Sequence, residues 1–124
     1  MPIDLTTASD LVDAVAGRLR SLGEGRLARS PLRVGLGIAE PLRADGPSVA
    51  ERAHAVAQAL ADAAALVSGV SRRLVPRLGD LAVGDQVAVT GHDLIASLHL
   101  DVTAIERNDV QAALAALRDL HRTL

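Results

Sequence analysis

The chain has no cysteine, tryptophan, tyrosine, phenylalanine or lysine, and a single methionine, in 124 residues. Each absence removes chemistry. Without cysteine there is no thiol nucleophile, no disulfide and no thiolate-held zinc or iron–sulfur cluster. Without lysine there is no Schiff base, no anchor for pyridoxal phosphate and no phosphate-loop lysine. Without aromatic rings there is no platform for stacking bases, sugars or flavins, and no cage for an organic cation. The cysteine-free composition fits a reducing cytoplasm. The Ala, Arg, Gly and Val bias without Lys points, through codons and not physics, to a high-GC bacterial genome.

The apolar half of the chain is alanine, leucine and valine with four isoleucines and that methionine. A chain of this length forms one domain, 1–124, and buries enough surface for a core without staples. Full burial of Leu or Val stabilises by roughly 1.5–3 kcal/mol and Ala by much less. Such a core needs many Leu contacts and close backbone approach at Ala. Self-association would bury more, so a homo-oligomer, a homodimer in the simplest case, is the expected state.

The N-terminal MPIDLTTASD is acidic without an apolar run, unlike a signal peptide. The uncharged stretch 63–71 is far short of the ~20 residues that span a bilayer. A cytoplasmic protein with no membrane contact is the simplest expectation. The net charge is −2, unevenly spread. Residues 18–43 hold six Arg against two Glu, while 79–109 hold six acids against one Arg. These are solvated faces that attract each other within or between subunits. Nucleic-acid binding would rest on Arg18, Arg20, Arg26, Arg29, Arg33, Arg72, Arg73 and Arg77. The acidic balance and the lack of a helix-turn-helix pattern argue against it.

Patterning predicts an α+β fold, mostly helical, with helices at about 8–22, 48–68 and 108–122. A short β-hairpin or small sheet at about 32–38 and 81–90 completes it; the alternative is an all-α bundle. Thr7 and Asp10 read as the start of the first helix, with Leu11, Val12, Val15, Leu19 and Leu22 on one face. Leu32, Val34, Leu36 and Ile38 alternate as in a strand. GLGIAE in that run lacks the third glycine of a dinucleotide loop, and Pro41 follows where a helix should start. Ser48 and Glu51 form a capping box, Val49, Ala53, Val56, Leu60, Ala63 and Val67 an apolar seam, and Gly69 a stop. In LAVGDQVAV, Leu81, Val83, Val87 and Val89 flank Gly84-Asp85 as in a type II′ hairpin. Residues 98–104 alternate like a strand, though 91–99 also suit a short helix. Asn108 or Asp109 reads as the cap of the last helix, with Val110, Ala113, Leu114, Leu117, Leu120 and Leu124 as its stripe.

The chemistry-bearing candidates cluster in VTGHDLIASLHLD, residues 89–101. His92, Asp93 and His99 are the candidate acid–base groups, and His92, His99 and Asp101 the candidate ligands for a divalent metal. The plainer explanation is a helix capped by Thr90, with Asp93 on its first turn and Leu94, Ile95 and Leu98 in the core. On that view no cofactor is needed. Glu51 and His54 have the spacing of a carboxylate-bridged metal site, but no second such pair exists. Glu51, His54, Gln58 and Asp62 then read as a solvent-facing polar stripe. No GxSxG is present, and His121 reads as a helix C-terminal partner.

Two functions follow. The first is a non-enzymatic helical interaction module, self-associating through Ala/Leu faces of the 48–68 or 108–122 helix, with Leu60 and Leu117 in the interface, or binding a protein partner. The alternative is a small ligand- or metal-binding protein, or a hydrolytic or acid–base enzyme, using His92, Asp93 and His99, with Arg33 as an anion contact.

Overall fold

The computed structural model describes residues 3–29, 46–98 and 102–124, and these are all-helical. α1 spans Leu5–Arg20, the short α2 Glu24–Leu27, α3 Val49–Ser68, α4 Val83–Ser97 and α5 Ala104–Thr123; a single 3₁₀ turn, Asp80–Ala82, leads into α4. The α+β expectation is therefore corrected to an all-helical fold, with no strand among the described residues. The strand expected at 32–38 lies outside them.

The hairpin expected at 81–90 is the larger correction. Val83, Gly84, Val87, Gly91 and Leu94 are buried on one side of α4, at helical and not strand spacing. Valine, threonine and glycine are indifferent helix formers. The helix exists because its apolar face packs, as is true of most helices in proteins. Gly84 and Gly91, seven residues apart, are not turn residues. They let α1 approach closely. A Cβ on Gly84 would lie 2.8 Å from Arg20 Cγ and 3.1 Å from the Ala16 carbonyl oxygen. One on Gly91 would lie 2.7 Å from both Val12 methyl carbons.

α1, α3 and α5 start at side-chain caps. Asp4, not Thr7, begins α1: its Oδ1 accepts the Thr6 and Thr7 backbone N–H groups, each at 3.1 Å. The Ser48–Glu51 capping box is present, with Ser48 N donating to Glu51 Oε1 at 2.8 Å and Glu51 N to Ser48 Oγ at 3.1 Å. Gly69 closes α3 at φ 72°, a left-handed conformation that glycine adopts without strain. α5 starts earlier than the expected Asn108 or Asp109. Thr103 caps it and Glu106 completes a second capping box. The strand-like alternation of 98–104 thus ends in a helix start, and Ala104 is the first residue of α5.

The caps carry a pH dependence. The Thr7 backbone N–H, then the Thr7 hydroxyl and the Thr6 N–H, lower the pKa of Asp4 from its ordinary 3.8. The Ser48 backbone N–H, then its hydroxyl and the nearby charge of Arg77, lower Glu51 from 4.5. A carboxylate lowered in the folded state stabilises fully above its unfolded pKa and loses that contribution as pH falls through the folded one. The thermal midpoint is expected to fall below about pH 4.5. Asp4→Asn together with Glu51→Gln should flatten that acid limb in a pH series of melting curves.

Four long helices form a bundle. α1 packs on α4 and α5, and α3 on the same two, so α1 and α3 lie diagonally. Arg18 donates to the Leu124 carbonyl oxygen at 2.9 Å, aligning the C-terminal ends of α1 and α5. Ser68 Oγ and Ser97 Oγ, 3.2 Å apart, align those of α3 and α4. Arg20–Asp85 and His92–Asp13, both at 2.8 Å, set α4 antiparallel to α1. The core is Val12, Val15, Leu19, Leu27, Leu60, Val87, Leu94, Val110, Leu117 and Leu120, each shielded almost completely. The whole 48–68 seam is spent inside this bundle, including Leu60.

Candidate functional site

His92 and Asp93 stand near the middle and C-terminal half of α4, not after a strand. His92 donates from Nε2 to Asp13 Oδ1 on α1 at 2.8 Å, with both side chains substantially exposed. Asp93 lines a different groove, between α4 and α3. The structure therefore joins His92 to Asp13 and not to Asp93. Thr90 does not cap; its hydroxyl donates to the Gln86 carbonyl oxygen at 2.8 Å within the helix. His99, Asp101 and Arg33 lie outside the described residues. Among the described residues no three His, Asp or Glu side chains gather as a metal site.

The polar stripe of α3 is more informative. It was expected to face solvent; instead it holds a crossover. Residues 70–79 return from the C-terminal end of α3 along its flank to reach α4. Arg72 Nη2 lies 3.0 Å from Asp62 Oδ2. Gln58 Nε2 donates to the Arg73 carbonyl oxygen at 3.0 Å and to Asp62 Oδ1 at 2.8 Å. Gln58 Oε1 accepts Val75 N–H at 2.7 Å. His54 Nε2 donates to the Val75 carbonyl oxygen at 2.8 Å, and Gln86 Nε2 of α4 to that of Pro76 at 2.7 Å. The six residues 72 to 77, five steps at an extended rise, span about 16 Å, as do the twelve residues 51 to 62, eleven steps of α-helix. That match lets the same stripe serve the crossover along its length.

The crossover is inverted relative to a usual packed segment. Its main chain faces the bundle and is hydrogen-bonded there. Its large apolar side chains point away: Leu74 is 88% exposed, Leu78 66%, Val70 62% and, at its end, Leu81 62%. Val75 alone among its large apolar residues packs against the core. On α4, Val89 is 60% exposed. Beyond the crossover, a groove of about 620 Å³ remains open between the C-terminal halves of α3 and α4. Ala61, Ala64, Ala65 and Ala96 line it, with Arg73 and Asp93 at its walls. It holds no buried polar cluster of the kind that fixes a small ligand.

No family model matches this chain, and no curated protein or solved structure does so either.

The sequence signal for this surface was present in VSRRLVPRLGD, where Leu and Arg interleave around Pro76. The polar stripe opposite gave its anchors. What periodicity lacked was any sign that the two meet. Gln58 carries three of the bonds, so Gln58→Leu is expected to speed amide exchange at Val75 by about tenfold or more, from loss of a directly bonded acceptor. Exchange in the core helices should not change, and hydrogen-exchange mass spectrometry reads both.

Proposed function

We propose that this chain is a non-enzymatic helical interaction module that self-associates, and that its interface is the crossover rather than the Ala/Leu faces of its long helices. One observation carries this reading: a segment anchored by its backbone presents Leu74, Leu78 and Leu81 to solvent. Clustered exposed leucines at a polar-rimmed surface mark interaction sites in soluble proteins. The burial of the apolar seams of α3 and α5 within the chain favours the crossover over those seams.

The anchoring supports a standing surface rather than a loose loop. Four hydrogen bonds from three side chains hold 73–76, so little ordering opposes association. No described helix is long and apolar enough to cross a membrane. With the cysteine-free composition, that supports a cytoplasmic setting for the assembly.

Leu74→Glu with Leu78→Glu tests this reading. Neither side chain contributes to the core, so the helical circular dichroism and its melting midpoint should stay close to wild type. The variant is expected to sediment as a monomer under conditions where the wild type is a dimer. Unchanged sedimentation of the two would overturn the reading.

A further inference from the structure

We propose that the surface receiving the crossover is the outer face of α4 in a second copy, so that Arg73 and Arg77 of each protomer meet Asp93 and Asp85 of the other across a two-fold axis. This rests on the self-association proposed above and assigns its geometry.

The charges are complementary in sign and in spacing. Asp85, Val89 and Asp93 stand four residues apart on α4 and therefore share one face. All three are exposed. Eight steps along the helix place the two carboxylates about 12 Å apart. Arg73 and Arg77, likewise exposed, are four steps apart, about 13 Å at an extended rise. Val89 lies between the aspartates; along the crossover the exposed Leu74 and Leu78 alternate with Arg73 and Arg77.

The two halves also sit side by side in one protomer, as an isologous contact requires. Pro76 is bonded to Gln86, next to Asp85. Arg73 and Asp93 line the same groove. Each half of the patch therefore has its counterpart at the same level along the bundle. A two-fold axis parallel to the helices, between the crossover and α4, puts Arg73 opposite the second copy's Asp93 and Arg77 opposite its Asp85. Asp85 also accepts Arg20 through Oδ1, yet its side chain is 74% exposed, and its other oxygen has no partner among the described residues. Arg72 is held by Asp62 within the chain and takes no part.

Charge reversal in mixtures tests this arrangement. Arg73→Asp alone sets like charges against each other in both contacts of a dimer, and so does Asp93→Arg alone. Each is expected to weaken dimerisation about tenfold or more. Mixed one to one, the two variants form a heterodimer in which one contact is native and the other reversed but complementary. Sedimentation velocity should show dimer in the mixture and monomer in each variant alone, with circular dichroism confirming the helices in both. A mixture that stays monomeric, or single variants that dimerise like wild type, would overturn the geometry. In the second case, loss of the dimer in Leu74→Glu with Leu78→Glu would leave self-association standing. A wild type that is monomeric at about 100 µM, whether or not it sediments with vesicles of phosphatidylcholine and phosphatidylglycerol, overturns both; co-sedimentation would assign the arginines and leucines to an anionic lipid surface.

Discussion

Leu60→Glu is expected to unfold the protein, not to dissociate an assembly. Leu60 has no exposed surface and sits on α3 where it meets its neighbours in the bundle. The substitution removes a buried leucine, which costs about 2–5 kcal/mol when truncated. It also places a carboxylate in the apolar core, adding several kcal/mol more. A small domain has roughly 5–15 kcal/mol in total. Leu117→Glu, equally buried on α5, should behave alike. Circular dichroism and a urea titration should show loss of cooperative folding in both. A folded, helical Leu60→Glu monomer would mean that α3 offers its seam to a partner after all.

Gly91→Leu is expected to prevent α4 from docking on α1. Even a Cβ at this position would stand 2.7 Å from both methyl carbons of Val12. Val12 is fully buried and β-branched, so it has no alternative rotamer at low cost. Gly91→Ala is the milder version. It gains up to about 1 kcal/mol of helix propensity but meets an overpacking cost of about 1–3 kcal/mol, for a net loss. Gly17→Ala is the control, since a Cβ there meets nothing within 4 Å. It should raise stability by about 0.5–1 kcal/mol. Val12→Ala clears the space at Gly91, so the pair Val12→Ala with Gly91→Ala should lose less than the sum of its single variants. Additive losses in urea titrations would show that the close approach at Gly91 does not govern stability.

These glycines also show where sequence reading reached its limit. Ser48, Glu51 and Gly69 marked α3 correctly because caps are local chemistry, written within four residues of the helix ends. The stripe of α5 was equally legible, although its Thr103–Glu106 box was passed over for the alternation of 98–104. α4 was not legible as a helix. Its valines alternate over 83–89, and Gly84-Asp85 has the composition of a hairpin turn. Only the tertiary fact that α1 approaches within contact of Gly84 and Gly91 distinguishes a packing glycine from a turning one. The candidate site divided in the same way. His92 and Asp93 are neighbours in sequence, yet a helix rotates consecutive residues by about 100°. One therefore reaches α1 and the other faces the α3 groove. The polar stripe Glu51, His54, Gln58 and Asp62 was visible as a stripe. Its partner, the crossover, lies 10 to 21 residues further along the chain, beyond what helical periodicity connects.

The proposed self-association of the wild-type chain is tested most directly by its mass in solution. Sedimentation velocity from about 1 to 100 µM should show a species of twice the 12.8 kDa chain mass growing with concentration. It should recede at high salt as the proposed Arg–Asp contacts are screened. A single 12.8 kDa species across that whole range would contradict it.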